Sequence, residues 1–164
     1  MAAKLQAGME LDGFTLQELA HTGGMARLWV VTHPDHEKPL LMKVPMIGEG
    51  DDPAAIVSFE MEQMILPRLS GPHVPKFVAN GDFSNHPYIV MERLPGKSLY
   101  PMLDRLPLKP DEVADIGVRV ATALDALHLQ HVVHLDLKPS NILFRDTGEA
   151  VLVDYGLARH NLLP

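Results

Sequence analysis

His134-Leu135-Asp136-Leu137-Lys138-Pro139-Ser140-Asn141 places a carboxylate, an ammonium group and a carboxamide within eight residues. Thirteen positions after Asn141 comes Asp154-Tyr155-Gly156, a second carboxylate beside a flexible glycine. Phosphoryl transfer from a nucleoside triphosphate needs such a set: a carboxylate to orient the attacking hydroxyl, a cation near the transferring phosphate, and an amide and a carboxylate to hold magnesium.

The flanking sequence explains how these groups would be held. Ile142-Leu143-Phe144 and Val151-Leu152-Val153 are short apolar runs on either side of the turn Asp146-Thr147-Gly148, and read as a small hairpin. Upstream, residues 110–130 predict a helix. Pro110 opens it, Asp111 and Glu112 occupy its first turn, and Val113, Ile116, Val120, Leu124 and Leu127 fall on one stripe. Asp136 and Asp154 are thus expected at loop positions between rigid elements.

The first half of the chain has a different period. Phe14–Leu19, Arg27–Val31 and Pro39–Val44 read as three strands, joined by Gly23-Gly24 and by the polar turn His33-Pro34-Asp35-His36. Residues 53–69 switch to helical spacing, with Asp51, Asp52 and Pro53 at the start and Ile56, Phe59, Met64 and Ile65 on the apolar face. Pro67 ends or kinks that helix. Strands are expected at 76–82 and 87–92, and the character becomes helical from Pro95-Gly96. The arrangement predicts an α+β fold in two lobes joined near 92–96: five antiparallel strands with one helix, then a mainly helical part.

Composition narrows the partners. With 46% hydrophobic and 21% charged residues the 164-residue chain is globular in character. A net charge of −7 and a pI near 5.6 argue against general nucleic-acid binding, so a polyphosphate must be held by a few local cations and backbone amides. The absence of cysteine excludes disulfides and thiolate–metal sites. The start lacks the apolar core of a signal peptide and no run is long enough to cross a bilayer, so a cytoplasmic location without membrane partners is expected. His128, His131 and His134 recur every three residues near a helix end, a spacing that also suits a metal.

Taken together, these motifs resemble the protein kinase family, and specifically the eukaryotic-like Ser/Thr kinases of bacteria. The resemblance runs from about Phe14 to Arg159 and divides the chain into an N-terminal extension (1–13), a small lobe (14–92), and a hinge with part of the large lobe (93–164). It implies ATP and Mg2+ as ligands, a protein hydroxyl as acceptor, and a specific set of site residues. Asp136 and Asn141 match H-R-D-x-x-x-x-N, with Asp136 as the proton acceptor. Asn141 and Asp154 would hold magnesium, and Lys138 would touch the γ-phosphate. Lys43, in Leu40-Leu41-Met42-Lys43-Val44, matches the Lys of V-A-I-K that pairs with the α- and β-phosphates. On its own such a Lys also suits an edge strand, its head reaching solvent.

The family requires a carboxylate partner for this Lys. Glu62 is expected from a gap-free alignment through Phe77, with Glu60 as the alternative. Residues i and i+2 on a helix face different ways, so only one can serve. By the same resemblance Gly23 and Gly24 would stand in the phosphate loop, Leu28 among the nucleotide-binding residues, Met91 at the back of the adenine pocket, and the backbone of Glu92 and Leu94 at the adenine edge.

Four departures qualify the match. His21-Thr22-Gly23-Gly24-Met25-Ala26 keeps only the middle glycine of G-x-G-x-x-G in register, which narrows the loop's freedom. Leu135 replaces the Arg that normally pairs with a phosphorylated activation loop, so that switch is not expected here. Tyr155 replaces the Phe of D-F-G and brings a hydroxyl that needs a partner. No counterpart of A-P-E or of the later large-lobe helices follows Asp154, which would leave an apolar helix face for a partner or a second copy to cover. Two functions are therefore carried forward: a Ser/Thr kinase, and a non-catalytic nucleotide-binding or interaction module.

Overall fold

The computed structural model describes residues 4–48, 50 and 52–163. It divides into two compact units, Met1–Gln63 with Lys76–Arg93, and Met64–Pro75 with Leu94–Pro164.

The first unit is a six-stranded antiparallel sheet. Its strands are β1 (Glu10–Leu11), β2 (Phe14–Thr22), β3 (Ala26–His33), β4 (His36–Pro45), β5 (Phe77–Gly81) and β6 (Tyr88–Glu92), in the order β1-β2-β3-β4-β6-β5. Five strands were expected; the sixth is β1, which pairs Glu10 with Thr15 and Leu11 with Phe14. Two residues carry too little periodicity to announce a strand, and the Asp12-Gly13 turn creates it. Asp12 and Gly13 have φ of 50° and 88°. A Cβ at Gly13 would also lie 2.9 Å from Nε2 of His33, so both sterics and backbone conformation call for glycine there.

Alternation along the strands builds a core on one face of the sheet. Phe14 and Leu16, Trp29 and Val31, Leu40 and Met42, Tyr88 and Val90 all stand at i and i+2 and are buried together with Leu11. Each large side chain removed from water contributes roughly 1.5–3 kcal/mol before the entropic cost of ordering it. Intervening residues, among them Leu28 and Lys43, therefore face the other way.

Helix α1 (Ala54–Ile65) buries Ala55, Phe59, Glu62 and Ile65, four positions at helical spacing. At its start the Asp52 carboxylate accepts the N–H of Ala54 at 2.9 Å, while Asp51 lies outside the described residues. The α-helix stops at Ile65, and the helical spacing up to 69 gives way, as expected at Pro67, to a 3-10 turn, Leu66–Arg68.

The second unit is built on α2 (Pro110–Leu129), which packs against β7 (Val132–Val133) and β9 (Ala150–Leu152). β8 (Ile142–Phe144) and β9 form the hairpin, and β10 (Arg159–His160) pairs antiparallel with β7. Segment 64–75 is secured in this unit by polar contacts. The Arg145 guanidinium donates to the carbonyls of Pro72 (2.7 Å) and Val74 (3.1 Å), and Leu152 N–H donates to His73 O at 2.9 Å. On α2 the burial is uneven. Ala123 and Leu127 are sealed, whereas Val113 is exposed and Ile116 and Val120 line an apolar groove of ≈ 360 Å³ with Leu99, Met102 and Ile142. No helix among the described residues is long and apolar enough to cross a membrane.

Candidate active site

In the second unit the loop after β7 is pinned by a buried histidine. His134 is 1% exposed, accepts the N–H of Asp136 on Nδ1 (3.2 Å) and donates from Nε2 to the carbonyl of Val153 (2.8 Å). Both ring nitrogens are thus engaged, which sets a single neutral tautomer and takes His134 out of any metal set with His128 and His131. Its ring also meets that of Tyr155 edge-on at 5.2 Å. Tyr155 is fully buried, and its hydroxyl finds the partner it needs in Leu152 O at 2.8 Å.

This scaffold fixes Asp136 relative to Asn141. The Asn141 amide donates to the backbone carbonyl of Asp136 at 3.0 Å and to its Oδ2 at 3.2 Å. Asn141 is itself buried and woven into the backbone: its N–H donates to Lys138 O and its carbonyl accepts from Val153 N–H. Lys138 Nζ stands 3.7 Å from the same Asp136 oxygen, more than half exposed. The Asp136 carboxylate is therefore oriented by two cationic or donor groups while remaining open to solvent. Asp154 follows β9 with φ 64°, and its Oδ1 accepts Gly156 N–H at 3.3 Å. Leu135 also has φ 62° and is 57% exposed. Left-handed conformations at non-glycine residues are costly and gather at functional loops. Past Gly156, β10 and the Asn161 N–H bond to His131 O hold the chain against β7.

In the first unit Lys43 Nζ forms a 2.5 Å ion pair with Glu62 Oε2, with side-chain exposures of 15% and 2%. Glu60 is exposed, so α1 presents Glu62 and not Glu60 to β4. The β2–β3 turn contains Gly23 and Gly24, neither in the left-handed region. The Gly23 N–H closes on Ala26 O at 2.9 Å. Leu28 is half-buried on β3 and Met91 is buried on β6. Glu92 is tied to Lys76 twice, by N–H to carbonyl at 2.8 Å and by its Oε1 accepting Lys76 N–H at 3.1 Å. Leu94 begins the second stretch of the other unit and is half-buried.

Sequence and structure comparisons show the family of the chain. Residues 21–162 match the protein kinase domain family. The chain belongs to the protein kinase family. Among relatives, it is 31% identical over 154 residues to the Ser/Thr-protein kinase PknH of Mycobacterium tuberculosis, covering 93% of this chain and 25% of that protein. It is 33% identical over 124 residues to the probable Ser/Thr-protein kinase PknB of Lactococcus lactis, covering 75% and 20% respectively. The crystal structure of the M. tuberculosis PknI kinase domain superposes with a TM-score of 0.75 at 28% identity, covering 95% of this chain and 64% of that one. These similarities identify the chain with the bacterial, eukaryotic-like Ser/Thr kinases. It spans about a quarter or less of the length of those curated relatives.

Within this kinase frame, sequence reasoning missed two features. One is the closure of the Gly23 amide, which depends on the turn's hydrogen bonding and leaves no mark in composition. The other is the anchoring of 64–75 by Arg145 and Gln130, whose polar side chains give no hint in the sequence of the carbonyls they reach.

Proposed function

We propose that the chain carries out ATP-dependent phosphoryl transfer to a serine or threonine hydroxyl of a protein. The observation that best supports this is the double hydrogen bond from Asn141 to Asp136, since it aims one carboxylate and keeps its unshared lone pairs available. In this reading Lys43, steadied by Glu62, binds the α- and β-phosphates, with Gly23 and Gly24 in the loop beside them. Leu28, Met91 and the backbone of Glu92 and Leu94 serve the adenine.

The acceptor hydroxyl would donate a hydrogen bond to Asp136. As its oxygen attacks the γ-phosphorus, the bond to the β-phosphate oxygen breaks and ADP leaves with that electron pair. Asp136 takes the proton late, when the oxygen has become acidic. Lys138, reaching past Asp136, offsets charge on the transferring group.

Two hard oxygen donors suit Mg2+ here. The Asn141 NH2 group is committed to Asp136, so Oδ1 is the atom with which Asn141 would hold the ion, and Asp154 would supply a carboxylate. Bound there, Mg2+ would neutralise part of the triphosphate charge. Leu135 offers no cation to an activation-loop phosphate, so activity would not depend on one.

Incubating the purified chain and its Asp136→Asn variant with γ-labelled ATP and a generic protein substrate tests the reading. Label should appear with the parent chain alone; equal labelling by the two proteins would sink the proposal. The closed Gly23 amide favours a second reading, a module that binds nucleotide without turnover. A melting temperature raised by Mg-ATP with no transfer would select it.

A further inference from the structure

We propose that His21 is a phosphate-binding cation of the nucleotide site, making nucleotide affinity rise as the pH falls. This rests on the nucleotide-binding reading above. The geometry begins with cross-strand pairing: His21 stands opposite Leu28, and Leu28 opposite Lys43. Directly opposed residues share a face of a sheet, so His21, Leu28 and Lys43 form one row. His21 and Lys43 lie two strand spacings apart, about 10 Å between backbones. One half-buried aliphatic side chain separates an imidazole from an ammonium group.

This register is produced by an irregularity between Leu19 and His21, where β2 gains a residue relative to β3. Bulges re-aim side chains, and this one brings His21 onto the Lys43 face. The imidazole is exposed and leans over the turn, its Nε2 3.7 Å from where a Cβ of Gly23 would sit. Beyond it, Gly24 has open space on the side where a side chain would be.

Charge accounting shows what His21 would add. The Gly23 N–H is spent on Ala26 O, so that amide is not offered to a phosphate. Lys43 on β4 is offset by Glu62 on α1. Glu18 on β2 pairs with Val30 and lies on this same face, whereas Arg27 on β3 alternates to the other. Without an imidazolium, Lys43, Glu62 and Glu18 supply no net positive charge on this face for a polyphosphate. Imidazole is the side chain whose charge changes in the physiological range. A triphosphate beside it favours the protonated form, and linkage then requires tighter binding where that form is populated.

The test is calorimetric titration with magnesium-AMPPNP at pH 6 and pH 8.5, on the parent chain and on His21→Gln, His21→Gly and His21→Lys. Comparing variants at one pH cancels titration of the ligand itself, and adenosine serves as the phosphate-free probe. Relative to the parent, Gln and Gly should weaken binding about fivefold at pH 6, the worth of one partly screened charge contact, and little at pH 8.5. Lys should bind more tightly than the parent at pH 8.5, and adenosine should not discriminate. A parent-to-Gln ratio that is the same at both pH values overturns the role of His21 while leaving nucleotide binding intact. A folded parent chain that binds neither probe overturns the nucleotide reading and this proposal together.

Discussion

Asn141 holds Asp136 by two hydrogen bonds from one amide group, to the main-chain carbonyl at 3.0 Å and to the carboxylate at 3.2 Å. Replacing Asn141 by Asp keeps the shape and removes both donors, setting acceptor against acceptor in a buried position. The variant should lose about 2–3 kcal/mol of stability and, on the proposed function, all phosphoryl transfer. Urea unfolding and the labelled-ATP assay measure the two losses.

The two glutamates of α1 give an internal control. Glu62 is the buried partner of Lys43, while Glu60 is exposed. Glu62→Gln leaves a largely buried ammonium group with a weaker partner and should cost about 2–4 kcal/mol. Glu60→Gln should change stability by less than about 0.5 kcal/mol. Equal shifts in denaturation midpoint would contradict the assignment.

Tyr88 governs an alkaline transition. Its burial, and then its 2.6 Å hydrogen bond to the Asp12 carboxylate, push its pKa well above the ordinary tyrosine value. The neutral phenol is thus favoured in the folded chain. Above pH of about 10 the unfolded chain releases this proton first, so stability is full below that pH and falls as pH rises further. Tyr88→Phe should cost about 1 kcal/mol at neutral pH and flatten the alkaline limb of a melting-temperature profile.

Leu135 holds a left-handed conformation with little packing to repay it: φ is 62° and the side chain is mostly exposed. Asparagine tolerates that region better. Leu135→Asn should therefore raise stability by about 0.5–1 kcal/mol, read as a higher urea midpoint at unchanged slope.

Much of the architecture was legible because period and burial coincide. Phe14/Leu16 and Trp29/Val31 alternate, and Pro110 with Asp111 and Glu112 announces α2. The candidate catalytic loop was legible for another reason: Asp136, Asn141 and Asp154 lie close in sequence, at offsets that resemble two linked kinase motifs. What escaped depends on distant backbone partners. β1 exists because the Asp12-Gly13 turn folds Leu11 onto Phe14, and 64–75 joins the second unit through carbonyls that any residue possesses. The row linking His21 to Lys43 requires a register shift that no pattern of side chains announces.

Met42 and Lys43 are neighbours with opposite fates, one sealed in the core cluster and the other paired with Glu62 on the far face. Their positions therefore obey a parity rule. One residue inserted or deleted between the His33–His36 turn and Lys43 would turn the ammonium into the hydrocarbon layer and the thioether toward Glu62. Two residues would restore the faces but slide Lys43 along the strand, away from Leu28 and Ile89, its present neighbours in the ladder. The length of β4 is thus as constrained as the identities of Met42 and Lys43.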